Sequence, residues 1–366
     1  MVSLVTPHAL NPKDLPAWPI VGHEWAVRFL DQLTATVIGP AADAPRARNS
    51  SLRHAYLLLG PAHVGKSTLA HLFAQAILCN APATRPCGTC RACTLMARGI
   101  HPDFRLIQPT DKDGAVDRVN GLLRAEAANE IVHDAALHPV EAQYKVFLIQ
   151  DAHRANPAFA NKLLKTLEEP PPNVILCLTA VDRQQLLPTI VSRCQALELR
   201  PTAREQIQRA LVEQHGVEPA RADLLARLAN GRMGWAANQL TAAADNTRLE
   251  QLELLWRLTA AGNAQRLDWA EKAASNRNSD HLFGMLELWV NWWRDILLYQ
   301  SGCGDACNNI DQQARIAVYA ESVAQADIRA YLQTIQRVER YLHHTVNTRL
   351  ALDVLALRLP HVPDSS

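Results

Sequence analysis

The sequence predicts an α/β core with a parallel sheet, followed by a small helical lid and an all-α domain. Three observations carry that expectation. Short apolar runs at 54–59 (HAYLLL), 145–150 (KVFLIQ) and 174–180 (VILCLTA) have the length and density of strands buried on both faces. Helical spacing lies between them, at Lys66–Leu78 and Pro157–Glu168, and strand–helix alternation argues for a parallel sheet covered by helices. After Arg200 the strand signals vanish, and alanine- and leucine-rich segments of helical spacing dominate to the end.

Each element has a local reason. The run at 54–59 ends on a glycine, as a buried strand entering a tight turn should. The helix expected at 157–168 stops at Pro170-Pro171-Pro172. Thr202 to Leu240 reads as a small helical unit closed by Gly231 and Gly234. The expected boundaries are therefore 1–200 for the α/β core, 201–245 for the lid and 246–366 for the helical block.

Composition bounds the function. The chain has 366 residues, enough for two or three domains, and 48% are hydrophobic, enough for a sizeable core. The net charge of +1 excludes strong long-range attraction to nucleic acid, so any DNA contact must be local or shared with partners. No apolar run reaches the roughly 18–20 residues that span a bilayer, and residues 1–16 lack the basic and apolar regions of a signal peptide. A cytoplasmic protein with no membrane role is expected. The eight cysteines fit, because four crowd into one short segment instead of forming the framework of a small secreted domain.

The sharpest motif is Gly60-Pro61-Ala62-His63-Val64-Gly65-Lys66-Ser67, which matches G-x-x-x-x-G-K-[ST]. Gly60 and Gly65 let the backbone curl so that its N–H groups cradle phosphates. Lys66 would neutralise β/γ-phosphate charge, and Ser67, followed by Thr68, would offer a hydroxyl to Mg²⁺. The helix starting near Lys66 adds its N-terminal dipole to the same anion site. The bland alternative is a glycine-punctuated turn with a surface lysine. The strand before and the helix after argue against it, so ATP with Mg²⁺ is the expected ligand.

Cys79, Cys87, Cys90 and Cys93 lie in LCNAPATRPCGTCRAC. The C-x₂-C-x₂-C spacing brings three thiols together on tight turns, and Cys79 can complete a tetrahedral set for a structural Zn²⁺. Independent reduced thiols and an iron–sulfur cluster use the same residues and stay open at this point. Cys303 and Cys307 read as members of a solvated loop, and Cys177 as a core residue of its strand.

Three further segments follow the P-loop in order: KVFLIQDAH (145–153), NKLLKTLEEPPPN (161–173) and PTIVSRC (188–194). With the cysteine insertion after the P-loop helix, they resemble the AAA+ clamp-loader subunits of bacterial DNA polymerase III. WWRDILLYQ (292–300) and NTRLALDVLALRLP (347–360) resemble the collar domain of the same family, so the likeness spans nearly the whole chain. It implies γ/τ-type and δ-type subunits as partners, and a ring that opens a sliding clamp and loads it on primed DNA through backbone contacts. It also implies that 246–366 is the oligomerising collar.

The residues that depart from the family pattern bear on catalysis. Motor subunits of the γ/τ type end the strand matching VFLIQDAH in Asp-Glu; here Gln150-Asp151 stands there. An amide is a poor substitute for a metal-positioning carboxylate, and Asp151, the weak candidate for the acidic strand-end residue, is one methylene shorter than Glu. Trp235 occupies the place where active members carry the lid arginine, with Arg232 three positions away. Ser192-Arg193-Cys194, by contrast, is complete, and the resemblance implies that Arg193 reaches the ATP of a neighbouring subunit as an arginine finger. The plain alternative for Arg193 is a surface salt bridge. A non-motor subunit with little or no turnover of its own is expected, and a γ/τ-type motor is the alternative.

Smaller signals carry blander readings. PIVGHEWAVRFL (19–30) reads as a capped amphipathic helix, although the resemblance places this segment near the adenine. Glu168 and Glu169 of LEEPP read as a solvated helix end. Trp289, Trp292 and Trp293 share one helical face and are expected in a core or a subunit interface. His343 and His344 are expected on the exposed side of a helix.

Overall fold

The computed structural model describes residues 18–35, 52–81, 84–117, 121–275, 279–342 and 347–362. His343 and His344 lie outside them. The chain divides into two compact units. One runs to His215 and takes up Gly231–Trp235; the other comprises Gly216–Asn230 and the residues from Ala236 onward.

The first unit opens with α1 (Glu24–Ala35), then β1 (Ala55–Leu59), α2 (Lys66–Leu78), α3 (Arg91–Ala97) and β2 (Phe104–Ile107). It continues through α4 (Ala125–Ala135), β3 (Lys145–Ile149), α5 (Pro157–Glu168), β4 (Val174–Ala180), α6 (Pro188–Val191), β5 (Gln195–Glu198) and α7 (Arg204–His215). The five strands form one sheet in the order β2-β3-β4-β1-β5, and every pairing is parallel. The three central strands are those expected from the apolar runs, and the helices at 66–78 and 157–168 form as expected.

Alternation along the strands builds two cores. Tyr56 and Leu58 of β1, Val146 and Leu148 of β3, and Ile175 and Cys177 of β4 face α1 and α2, where Phe73 stacks on Trp18 and meets Tyr56 edge to face. Leu57 and Leu59, Phe147 and Ile149, and Leu176 and Leu178 face the other way, onto α4 and α5. Strands apolar on both faces are what a parallel sheet between two helical layers requires. Cys177 is fully buried, as its place in the strand predicts.

The edge strands were not expected. β2 has only one buried residue in four, Phe104, and β5 only Leu197. Neither presents the continuous apolar run that marks the central strands.

The second unit is helical throughout its described residues: α8 (Pro219–Leu228), the end of α9 (Met233–Asn238), α10 (Ala242–Ala260), α11 (Asn263–Ser275), α12 (Ser279–Gln300), α13 (Gln313–Ser322), α14 (Gln325–Leu342) and α15 (Thr348–Leu357). Its core is aromatic. Trp289, Trp292 and Trp293 of α12 are fully buried and pack against Trp256, Trp269, Tyr319 and Tyr331. Arg266, also buried, donates to the carbonyls of Leu258, Thr259 and Leu359, and so ties α10 and α11 to the chain after α15. Of the two cysteines expected in a solvated loop, Cys303 is exposed but Cys307 is buried. The correction has a local cause. The buried Asp295 carboxylate accepts from the backbone N–H of Asn308 and Asn309, which draws that turn, and Cys307 with it, into the core.

Candidate functional site: a P-loop, a cysteine cluster and an arginine at the opposite sheet edge

The P-loop leaves the C-terminal end of β1, where ligands of open parallel sheets bind. Gly60 and Gly65 have φ of 142° and 115°, a region open to glycine, and a Cβ on Gly60 would strike the carbonyl of Leu199. The turn is pinned from outside. His23 Nε2 lies 2.9 Å from the Val64 carbonyl, which requires the hydrogen to sit on Nε2. Gly234 N–H donates to the His63 carbonyl at 3.0 Å, and a Cβ on Gly234 would stand 2.8 Å from that oxygen. The segment before α1 is thus more than a capped helix, because its histidine braces the phosphate loop.

Lys66 is only 6% exposed, and its Nζ donates to the carbonyls of Gly60 and Pro61, 2.7 Å from each. Burial pushes the amine down to about 8, while the field of Asp151 favours the charged form. Ser67 is half-buried and Thr68 exposed, on the first turn of α2.

The neighbouring strand ends complete this edge. Gln150 follows β3, is buried, and accepts from Gln108 Nε2 at 2.9 Å. Asp151 has a left-handed φ of 50°, held by its N–H donating to Thr179 Oγ1 at 3.0 Å. Sequence reasoning missed Gln108 and Thr179, since each matters only through the register that sets β2 and β4 beside β3. Arg232 stands over the Trp235 ring, 5.8 Å from its centroid.

The four cysteines converge. Their sulfurs all lie within 4.8 Å of one another, with Cys79 to Cys90 at 3.9 Å and Cys87 to Cys93 at 4.0 Å. Ligands about 2.3 Å from a tetrahedral Zn²⁺ stand about 3.8 Å apart, so the set fits one ion. A cluster of several irons would hold the thiolates further apart. Backbone N–H groups of Ala81, Cys87, Cys90 and Cys93 point at the sulfurs at 3.3–3.5 Å, as the outer shell of a thiolate site does. Cys79 ends α2 and Cys90 caps α3, so one ion would fasten two helices.

Arg193 lies elsewhere. Gln195 of β5 is level with Tyr56 of β1, and both strands run the same way. Arg193 therefore sits at the N-terminal edge of the sheet, while the P-loop begins four residues beyond Tyr56. At about 3.3 Å per residue the two are at least about 13 Å apart along the strand, which is further than an arginine side chain reaches.

The profile described as "DNA polymerase III, delta subunit" matches residues 44–203, and its C-terminal counterpart matches 242–361. DNA polymerase III subunit delta′ of Pseudomonas aeruginosa is 33% identical over 326 residues, 85% of this chain and 92% of that protein. The chain belongs to the DNA polymerase III delta′ family. The delta′ subunit of Bacillus subtilis is 28% identical over 84% of this chain and 91% of its own length. The tau subunit of Escherichia coli is 26% identical over 84% of this chain but only 50% of itself. The fold of this delta′ family member is a P-loop α/β core with a five-stranded parallel sheet, followed by helices. No helix among its described residues is long and apolar enough to cross a membrane.

Proposed function

We propose that this chain is the arginine-donating, non-motor subunit of a clamp loader. It assembles with γ/τ-type and δ-type subunits in the cytoplasm, and loads a sliding clamp on primed DNA through contacts to the DNA backbone. The carrying observation is the placement of Arg193: too far from this chain's own P-loop to serve it, at the sheet edge where a neighbour's nucleotide can be met. An arginine supplied in trans accelerates phosphoryl transfer by about 10³–10⁵-fold.

The chain's own site is read as binding ATP with little turnover. Gly60, Gly65, Lys66, Ser67 and Thr68 would hold the triphosphate and its Mg²⁺, which supplies charge neutralisation there. Gln150 is neutral where a metal-positioning carboxylate is needed, and its amide oxygen is taken by Gln108. Cys79, Cys87, Cys90 and Cys93 would hold a structural Zn²⁺ inserted in an AAA+ domain spanning 1–200, with a lid at 201–245 and a collar at 246–366.

One feature favours a γ/τ-type motor instead: the field of the Asp151 carboxylate favours the charged form of Lys66. ATP turnover by the reconstituted ring, with clamp and primed DNA, separates the two. Arg193→Ala should slow turnover and loading by at least about 100-fold at the site it serves, while Lys66→Ala should barely change either. A large loss with Lys66→Ala would make this chain a motor.

A further inference from the structure

Helix α5 runs through Leu167 to Glu168 and is stopped by the three prolines that follow. Its C-terminus lies on the N-terminal side of β4, and therefore at the same sheet edge as Ser192-Arg193-Cys194. Helix α6 has four residues and ends at Val191; the carbonyls of Pro188, Ile190 and Val191 accept from the backbone N–H groups of Ser192, Arg193 and Cys194, whereas the Thr189 carbonyl accepts from side chains, Ser192 Oγ among them. Arg193 uses both features. Its Nη2 lies 2.9 Å from Glu168 Oε1, and its Nη1 donates to the Thr189 carbonyl at 3.0 Å.

These are the two terminal nitrogens with which a guanidinium grips a phosphate. Both are engaged inside the subunit. The side chains are 34% and 50% exposed, so the pair is open to a competing anion from outside. A bond between exposed charges is weak, worth at most about fivefold in an equilibrium. A polyphosphate carries more negative charge than one carboxylate and accepts the same fork in bidentate fashion, so it takes the guanidinium.

We propose that Glu168 is a positioning residue for Arg193: its carboxylate holds the guanidinium against α6 in the free subunit and releases it to the neighbour's polyphosphate. This rests on the reading of Arg193 as a trans-acting arginine. It also gives the first glutamate of LEEPP a chemical role beside its place at a helix stop. The hold is weak enough to be broken by nucleotide.

The test uses the complete ring with clamp and primed DNA, and compares four forms of this chain: unmodified, Glu168→Gln, Arg193→Ala and the double variant. Removing the carboxylate charge should lower the ATP concentration for half-maximal turnover by about two- to fivefold and leave kcat unchanged, because the bound state has already given up the pair. The gain should shrink between about 0.05 and 0.5 M salt, where exposed pairs are screened. It should vanish in the Arg193→Ala background, and Glu168→Asp should restore part of the hold. If Arg193→Ala alone changes nothing, the trans-acting reading fails. If Arg193→Ala slows the ring but Glu168→Gln leaves half-saturation unchanged, raises it or lowers kcat, the Glu168 inference is overturned while the arginine reading stands. Equal melting temperatures for the unmodified and Glu168→Gln chains exclude a folding defect as the source of any change.

Discussion

Raising the pH should loosen nucleotide from the P-loop of this chain, and the size of the effect follows from Lys66. Its amine is pushed down to about 8 by burial, against an ordinary value near 10.5. Two N–H bonds to the Gly60 and Pro61 carbonyls are what a neutral amine can make, so the empty loop tolerates loss of the proton. A bound polyphosphate favours the ammonium and raises the group back toward its ordinary value. Binding above pH 8 must then take up a proton. The apparent Kd for ATP should be nearly level from pH 6.5 to 7.5, and at pH 9.5 weaker by about 10^1.5, or roughly 30-fold. Unfolding does not mimic this. A base with a depressed folded pKa makes the unfolded chain the better proton binder between pH 8 and 10.5, so this group adds stability as pH rises through that window. The assay is fluorescent-nucleotide titration of the isolated chain across pH 6.5–9.5, with calorimetry at pH 9 in two buffers of different ionisation enthalpy to count protons. Lys66→Arg, which stays charged throughout, serves as the control. A Kd that stays level up to pH 9.5, or an equal slope in Lys66→Arg, would refute the reasoning.

Other outcomes follow from contacts already described. Gly234→Ala places a methyl 2.8 Å from the His63 carbonyl and displaces the N–H bonded to it; ATP affinity should fall by about tenfold, the worth of one backbone hydrogen bond, in the same titration. Cys90→Ser should drop bound zinc from one ion per chain to a small fraction of that in elemental analysis, and full retention would contradict a four-sulfur site. Arg266→Met keeps the buried stem but strands three carbonyls, and should cost the chain about 3 kcal/mol or more in urea unfolding; a change under about 1 kcal/mol would mean that solvent or relaxation replaces those bonds.

What the sequence made legible is what short-range chemistry dictates. The P-loop needs glycines at fixed spacing, and 145–149 and 174–180 are buried at every position and mostly apolar because helices cover both faces, so each could be read without neighbours. The cysteine cluster was legible for the same reason: three of its four sulfurs lie within seven residues of sequence. β2 and β5 escaped because an edge strand packs on one side and exposes the other, which erases the continuous apolar run. Cys307 escaped because its burial depends on Asp295, twelve residues away on another helix.

The remaining misses share one property, and it is the property that matters for function. His23 with Val64, Gln108 with Gln150, Asp151 with Thr179 and Glu168 with Arg193 are all pairs brought together by the register of parallel strands or by the docking of a helix on the sheet. At least one member of each pair stands in a segment that the sequence singles out, and Glu168 and Arg193 both do; in every case it is the pairing that residue type alone does not signal. Parallel register also puts the P-loop and Arg193 at opposite edges of one sheet. A residue at the N-terminal edge cannot reach the P-loop of its own chain, since no side chain spans the length of the strand between. The separation of the two sites is therefore a consequence of sheet topology, and an Arg193→Lys exchange, shorter and without the planar fork, should not restore turnover to an Arg193→Ala ring even though it restores the charge.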